Sequence, residues 1–248
     1  MLLEGTQVTL SYGGVKALDG VDFSIRKGEA LGIIGPNGAG KTTLFNAVSG
    51  LVPLARGEIV FNGRSLNGMS PHRITKLGIA RTFQIVKPFS RLSVRENVAI
   101  GAFFASRARR SMDEAYRIVD RLLEQVGLDT RKNSYARDLS VIEQKKLELA
   151  RALATSAELI LLDEVMAGLG RGDIDRLSEL LISLKEEGYA LMVVEHVMQA
   201  VMTISDRVIV LHHGQKIAEG PPDVISRDDT VIAAYLGERY ARARQARG

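Results

Sequence analysis

A glycine-rich segment that ends in lysine and two threonines is the first part of the chain that could do chemistry. It reads GPNGAGKTT over residues 35–43 and fits the pattern G-x-x-x-x-G-K-[ST]. Glycine lets the backbone curl so that consecutive N–H groups face one ligand, and the start of the following helix attracts negative charge. The apolar stretch ALGII precedes the segment and the helical stretch TLFNAVSG follows it. This order predicts a phosphate-binding loop between a strand and a helix.

The loop also predicts its ligand. Lys41 is placed to reach β- and γ-phosphates and the Thr42 hydroxyl to ligate Mg²⁺, so the loop predicts a nucleotide with these phosphates together with Mg²⁺. A glycine-rich turn that binds nothing is the alternative, but neither side chain serves turn geometry. The predicted binding residues are Gly35, Pro36, Asn37, Gly38, Ala39, Gly40, Lys41, Thr42 and Thr43.

A pair of carboxylates follows the apolar run LILL. Asp163 ends this predicted strand and Glu164 comes next. In a parallel sheet, the carboxyl end of such a strand lies beside the phosphate loop. There Asp163 is predicted to hold Mg²⁺ through water, and Glu164 to act as general base on the attacking water. An Asp-Glu pair after a strand is common, so this prediction depends on the loop.

Short apolar runs that alternate with helical periods predict a largely parallel, buried sheet. Ser70 and Pro71 predict the start of a short helix, with serine as N-cap and proline in the first turn. Arg56–Gly63 predicts a strand followed by a turn, because Asn62-Gly63 is a strong turn dipeptide. The other predicted strands are Val21–Ile25, Ala30–Ile34, Ile79–Phe83, 159–163, 191–196 and 207–211.

Charged helical patterns replace the β-branched runs between residues 93 and 153. Apolar residues repeat there at three- and four-residue steps and predict one buried helix face, which ends at Gly127. These residues are Met112, Ala115, Ile118, Val119, Leu122, Leu123 and Val126. We therefore expect one domain, with a core over 1–88 and 154–237, a helical subdomain over 89–153 and a basic tail over 238–248.

Composition excludes several classes of protein. The chain has 248 residues, is 46% hydrophobic and 25% charged, and is therefore neither disordered nor collagen-like. Its net charge is +4, but the tail holds four arginines and one glutamate, so the rest is close to neutral and nucleic acid is not expected as a partner. Cysteine is absent, which suits a cytosolic chain at least as well as a secreted one. No apolar stretch approaches the ~20 residues of a membrane span.

With these motifs in this order, the whole chain resembles the ATP-binding subunit of ABC transporters. The resemblance implies an α/β fold: a P-loop nucleotide-binding core with a mostly parallel central sheet, N-terminal antiparallel strands and an inserted helical subdomain. It also implies that Tyr12, in LSYGG, stacks on adenine. Gln84, in RTFQ, is implied to sense Mg²⁺ and the γ-phosphate, and His196 to contact the γ-phosphate. From the residues alone, each of these three could instead be structural or exposed.

The sequence between the motifs is most similar to that of the ATP-binding subunits of branched-chain amino acid importers. ARTFQ, LSVRENVAIGAFF, LELARALAT and the ending SDRVIVLHHGQKIAEGPP carry this likeness. It implies an ATPase at the cytoplasmic face of the inner membrane, bound to integral membrane subunits, and served indirectly by a substrate-binding protein. Gln84 and the segment Ile85–Phe89 are implied to move on loss of the γ-phosphate and to tilt the helical subdomain. Other amino acids, amides or exported lipids are alternative substrates.

The signature motif of the family departs from its usual form. Residues 139–144 read LSVIEQ where LSGGQ or LSYGQ is expected, so Ile142 replaces glycine and Glu143 replaces glutamine. Ser140 is retained and is implied to contact the ATP of a partner subunit. Bulk and negative charge at this place weaken ATP binding across a dimer. Val165 also replaces the usual proline, and Gly170 the usual Asn or Asp. We therefore expect an asymmetric pair with a second ATP-binding subunit.

Two other functions remain as alternatives. A nucleotide-binding module with weak hydrolysis is suggested by LSVIEQ, but such a module needs neither Glu164 nor His196. A soluble ABC-type ATPase that acts on ribosomes or DNA usually has tandem domains or long coiled coils, and 248 residues leave no room for them.

Overall fold

Two sheets form the body of the chain in the computed structural model, which describes residues 1–82, 88–105 and 111–236. Among these residues, the strands are β1 (Leu3–Tyr12), β2 (Val15–Ile25), β3 (Ala30–Ile34), β4 (Arg56–Phe61), β5 (Arg64–Ser65), β6 (Ile79–Arg81), β7 (Leu159–Asp163), β8 (Ala190–Val194), β9 (Arg207–His212) and β10 (Gln215–Gly220). The helices are α1 (Lys41–Val48), α2 (Pro71–Leu77), α3 (Val94–Ala105), α4 (Met112–Gln125), α5 (Val141–Ala154), α6 (Arg171–Glu186), α7 (Met198–Ile204), α8 (Pro222–Ile225) and α9 (Asp229–Leu236).

The larger sheet has the strand order β10-β9-β3-β8-β7-β6 and is parallel except for β10. Every residue of β3, β7 and β8 is buried, because helices or the second sheet cover both faces. The carboxyl ends of these three strands meet at one edge. This edge brings together the residues after Ile34, Asp163 and Val194, and it is where parallel α/β sheets bind ligands.

The smaller sheet, with the order β2-β1-β4-β5, is antiparallel. Its apolar side chains share one core with α1 and with one face of the larger sheet. The predicted α/β fold, with a mostly parallel sheet and antiparallel N-terminal strands, is thus confirmed. Strand β2 is longer than the predicted strand, since it begins at Val15 rather than Val21.

The segment between β6 and β7 contains α3, α4 and α5, which pack on one another through a shared apolar core. The Ser111 hydroxyl caps α4 by accepting from Glu114 N–H at 3.2 Å, and Gly127, at φ 67°, follows the end of this helix. The predicted face of α4 is largely buried, but Met112 is 55% exposed because it lies in the first turn. The division of the chain into a core and a helical subdomain stays a prediction.

Asn97 holds the entry to this helical segment. Its side chain is fully buried in α3 and accepts from Phe89 N–H at 2.9 Å. Its amide nitrogen donates to the carbonyl oxygens of Phe89, Leu92 and Ser93 at 3.1, 3.3 and 2.9 Å. One side chain therefore fixes the backbone over 89–93 to the first turn of α3.

Three predictions about the ends of elements differ from the structure. Strand β6 ends at Arg81, whereas the predicted strand continued through Thr82 to Phe83, and Phe83 lies outside the described residues. Strand β8 ends at Val194, so Glu195 and His196 lie in the loop after it rather than in the strand. Pro71 begins α2 as predicted, but the Ser70 hydroxyl lies 3.0 Å from Nδ1 of His72 and makes no cap hydrogen bond. Among the described residues, no helix has both the length and the apolar character to cross a bilayer.

Candidate functional site

The loop over residues 35–40 connects β3 to α1 at the carboxyl edge of the parallel sheet. A Cβ atom on Gly35 would lie 2.1 Å from the carbonyl oxygen of Leu211, and one on Gly40 would lie 2.7 Å from that of Ala17. Gly40 also has φ 107°, which other residues rarely adopt. Both positions therefore require glycine so that the loop can lie close against the neighbouring strands.

The start of α1 is well suited to an anion. Gly40 is its N-cap residue and has no side chain with which to cap the first N–H groups, and the first turn contains no acidic residue. The unpaired N–H groups of a helix start carry a positive partial charge and bind phosphate. Asn37, Gly38 and Thr42 are exposed beside them. The predicted loop residues are thus brought together around one helix start.

Lys41 lies beneath the loop, with only 7% of its surface exposed. Its Nζ donates to the carbonyl oxygens of Gly35 at 2.7 Å and Pro36 at 3.0 Å. Among the described residues, one of its three N–H donors is thus left for a ligand. Burial lowers the pKa of Lys41, and the negative charge of Glu164 opposes this change. The ammonium group is therefore held close to both the loop and the carboxylate.

Asp163, at the end of β7, is buried and paired with an arginine that the sequence analysis did not single out. Nη2 of Arg81 lies 2.6 Å from Oδ2 of Asp163. Nη1 of the same guanidinium donates to Oδ1 of Asn46 at 2.7 Å and to the Ser49 hydroxyl at 3.0 Å. Arg81 thus links β6, β7 and α1. Its place as the first residue of the RTFQ phrase was the only signal in the sequence.

Glu164 and His196 meet across the loops that follow β7 and β8. Nε2 of His196 lies 2.7 Å from Oε1 of Glu164, within hydrogen-bond distance. Glu164 has φ 52°, a left-handed conformation that is strained for this residue type. Its side chain is 17% exposed and that of His196 is 54% exposed. The two residues therefore form a solvent-accessible pair at the edge of the sheet.

Glu195 is a second residue that the sequence analysis missed. It is 3% exposed, and its Oε1 accepts from the backbone N–H of Met166 at 2.8 Å. Burial raises the pKa of Glu195 to about 7, with the charge of Glu164 adding to this effect, while hydrogen bonds from Met166 and His196 oppose it. Its only sequence signal was its position next to His196.

The remaining predicted site residues lie apart from this cluster or outside the description. Tyr12 ends β1 opposite Val15, and both are exposed, at 48% and 71%. They belong to the hairpin whose Ala17 borders Gly40. Gln84 lies outside the described residues, so its predicted contact with Mg²⁺ stays a prediction.

Ser140 is exposed at the N-cap of α5, where it forms a capping box with Glu143. Oε2 of Glu143 accepts from the N–H of Ser140 at 2.8 Å and from its hydroxyl at 2.9 Å. Arg131 pairs with the other carboxylate oxygen at 3.1 Å. Burial opposes ionisation, yet these hydrogen bonds and Arg131 hold the pKa of Glu143 below its usual value. The negative charge expected here is therefore already paired within the chain.

Ile142 does not project freely from this motif. It is partly buried and packs against the core of the helical segment, whereas Val141 is 54% exposed. Bulk at the exposed start of α5 thus comes from Val141.

The chain is similar to known proteins over nearly its whole length. The family described as "ABC transporter" matches residues 18–167, and the family described as "Branched-chain amino acid ATP-binding cassette transporter" matches residues 215–241. The chain is 35% identical to the high-affinity branched-chain amino acid transport ATP-binding protein BraF of Pseudomonas aeruginosa, over 96% of this chain and 98% of that one. It is 34% identical to LivG of Escherichia coli, a protein of the same description, with the same coverage.

Solved structures give the same result. The ADP conformation of MJ1267, an ATP-binding cassette of an ABC transporter, has a TM-score of 0.87 and 30% identity, over 95% of this chain and 98% of that one. A dimeric structure of MJ0796, a bacterial ABC transporter cassette, has a TM-score of 0.78 and 28% identity, over 89% of this chain and 98% of that one.

Proposed function

Because this chain belongs to the ABC transporter family, as an ATP-binding and ATP-hydrolysing subunit, we propose that it drives the import of branched-chain amino acids. The observation that carries the proposal is the similarity to BraF and LivG over 96% of the chain, together with the match of residues 215–241 to a branched-chain amino acid family. Import of other amino acids or amides, and lipid export, are the alternatives that the experiment must exclude.

ATP is bound by the loop over residues 35–43. The N–H groups at the start of α1 and the ammonium of Lys41 contact the β- and γ-phosphates, since both point into the same edge of the sheet. The exposed ring of Tyr12 stacks on adenine, which places the base over the hairpin that borders Gly40.

Mg²⁺ fits the donors near this loop, because they are hard oxygen ligands. Thr42 is exposed, so its hydroxyl can reach an ion. In the Asp163 carboxylate, Oδ2 pairs with Arg81 at 2.6 Å, and Oδ1 is the oxygen proposed to face the ion. Gln84 is the third proposed ligand. The ion, when bound, neutralises charge that develops on the phosphates.

Hydrolysis is assigned to Glu164 as general base. It orients the attacking water and takes a proton from it, while His196 holds the carboxylate and faces the γ-phosphate. Lys41 and Gln84 are the other proposed catalytic residues. A pure nucleotide-binding module would need no such pair of carboxylate and imidazole.

The proposed assembly contains a second ATP-binding subunit, integral membrane subunits at the cytoplasmic face of the inner membrane, and, indirectly, a substrate-binding protein. MJ0796 forms a dimer, which supports pairing of two cassettes. The altered signature around Ser140 supports a partner of different sequence.

The test is reconstitution in vesicles with the membrane subunits that co-purify with this chain. We expect uptake of radiolabelled leucine that requires ATP and is lost in Glu164→Gln, with no uptake of urea or glutamine under the same conditions. Uptake of another solute but not leucine contradicts the substrate assignment. Failure of the chain to co-purify with any integral membrane protein contradicts the transport function.

A further inference from the structure

Three contacts join the loops that follow β7 and β8, and the proposed function uses only one of them. Glu164 N–H donates to the carbonyl oxygen of Val194 at 2.9 Å, and His196 Nε2 lies 2.7 Å from Glu164 Oε1. The third contact is the 2.8 Å hydrogen bond from Met166 N–H to Glu195 Oε1. Since Met166 lies two residues after Glu164, Glu195 holds the far side of the turn that presents Glu164.

The backbone of this turn needs support. Glu164 is left-handed at φ 52°, a conformation that persists in a non-glycine residue only where the surroundings impose it. The turn closes with Ala167 N–H donating to the Glu164 carbonyl oxygen at 3.2 Å. The Met166 N–H sits inside this turn, so a shift of that group moves the backbone of Glu164 as well.

A carboxyl group is an unusual choice for this support. Glu195 is 3% exposed, and its burial disfavours the charged form. An uncharged acceptor such as glutamine could accept the hydrogen bonds from Met166 and His196 at a lower cost in free energy. Buried ionisable groups with shifted pKa values cluster at functional sites, and Glu195 lies beside the proposed acid–base pair.

We propose that Glu195 is a positioning residue for Glu164: by holding the Met166 N–H, it fixes the turn that directs the Glu164 carboxylate toward His196. This inference rests on the proposed role of Glu164 in ATP hydrolysis. Glu195 acts through Glu164 and does not itself touch the reacting atoms.

The imidazole of His196 gives a readout that does not depend on turnover, because the chain has only four histidines to resolve by nuclear magnetic resonance. Glu195→Leu removes the acceptor and Glu195→Gln keeps it. In the full chain labelled at histidine, we expect Glu195→Leu to move the His196 resonance toward its position in Glu164→Gln. The resonance in Glu195→Gln stays near that of the wild type.

Kinetics of the same preparations supply a second readout. Small displacements of a catalytic group cost large factors in rate, so kcat for ATP is expected to fall about 100-fold in Glu195→Leu. It changes less than about threefold in Glu195→Gln, and the Kd for ATP changes less than about threefold in both, because the phosphate loop is untouched.

Asp206→Leu is the matched control. Asp206 also accepts a backbone N–H, that of Ala30 at 2.9 Å, but at the amino end of β3, away from the site. This variant is expected to leave the His196 resonance and kcat unchanged. A wild-type resonance in Glu195→Leu, with kcat no lower than in Asp206→Leu, overturns the proposal. If Glu195→Leu does not fold, Glu195→Asp, which withdraws the oxygen by one methylene, is judged by the same outcomes.

Glu164→Gln separates this inference from the proposed function. If that variant changes neither the resonance nor kcat, the role assigned to Glu164 is wrong and the inference falls with it. If it changes both while Glu195→Leu changes neither, only the positioning role of Glu195 is wrong.

Discussion

The guanidinium of Arg81 and the carboxylate of Asp163 form an ion pair, Nη2 to Oδ2 at 2.6 Å, with side chains only 8% and 10% exposed. Two further hydrogen bonds from the same guanidinium reach Asn46 in α1 and Ser49, the residue that follows this helix. The carboxylate proposed to face Mg²⁺ is therefore fixed to the helix that begins at the phosphate loop. This geometry makes Arg81 a structural link between the two halves of the candidate site.

Loss of this link is expected to destabilise the fold. In Arg81→Met the Asp163 carboxylate stays buried without its partner, so the free energy of unfolding falls by about 3–5 kcal/mol. Arg81→Lys recovers little, because an ammonium cannot form the fork that reaches three acceptors. Urea denaturation measures both. The control, Arg176→Met, breaks a pair with Asp173 whose arginine is 74% exposed, and costs less than about 1 kcal/mol. Equal losses in Arg81→Met and the control contradict the prediction.

Lys41→Met tests the phosphate site. Removal of the ammonium deletes charge-assisted hydrogen bonds of about 1.5–3 kcal/mol, so the affinity for ATP falls by about 10- to 100-fold in calorimetric titration. Lys27→Met removes an exposed lysine that pairs with Glu158 at 2.9 Å and leaves the affinity unchanged. An unaltered Kd in Lys41→Met would show that this lysine does not contact the nucleotide.

Tyr12→Ala tests the assignment of the adenine site. Stacking of a base on an aromatic ring contributes about 1–3 kcal/mol, so ATP binding weakens by about tenfold or more while inorganic tripolyphosphate binds as before. Tyr135→Ala is the control, because Tyr135 is 49% exposed but lies beside Arg137 in the helical segment. A parallel loss for both ligands would mean that Tyr12 supports the loop rather than the base.

Stability is expected to depend on pH through Glu195. Its pKa of about 7 in the fold lies above its usual value of 4.5, so the folded state binds the proton more tightly than the unfolded chain. The contribution of Glu195 to the stability of the wild type therefore falls as pH rises from about 4.5 to about 7, by about 3 kcal/mol, and falls no further above that range. Glu195→Gln lacks this loss. Denaturation at pH 5, 6, 7 and 8 should show its advantage growing up to pH 7, whereas parallel curves contradict the prediction.

The altered signature predicts an asymmetric pair. The chain alone should hydrolyse ATP slowly, and addition of its partner and membrane subunits should raise phosphate release, which Glu164→Gln then abolishes. Val141→Gly, which removes the bulk exposed at the start of α5, is expected to raise the rate of the assembly further. Strong turnover by the chain alone, lost in Glu164→Gln, refutes the asymmetry.

The local sequence pattern predicted much of this fold, because each motif is formed by residues that are neighbours in the sequence. The strand, loop and helix around Lys41, and the strand that ends at Asp163, lie where their glycine and apolar patterns placed them. Arg81 and Glu195 were missed for a different reason. Their partners, Asp163 and Met166, lie 82 and 29 residues away, and no local period marks a contact over that distance.

The capping box at Ser140 is another contact that the sequence alone did not reveal. The sequence suggested a free negative charge on Glu143, but the hydrogen bonds to Ser140 and the pair with Arg131 appear only once α5 and the preceding turn are folded together. The type of a residue gives its formal charge, but it does not show whether neighbouring groups neutralise that charge.

The four hydrogen bonds of Asn97 have a mechanical consequence. Since they bind the backbone at Phe89, Leu92 and Ser93 to α3, the connection over 89–93 is rigid. A displacement of the chain at residue 88 would therefore be transmitted to α3 through these hydrogen bonds. We therefore expect loss of the Asn97 side chain to free the backbone over 89–93 from α3 without touching any group proposed to bind the nucleotide.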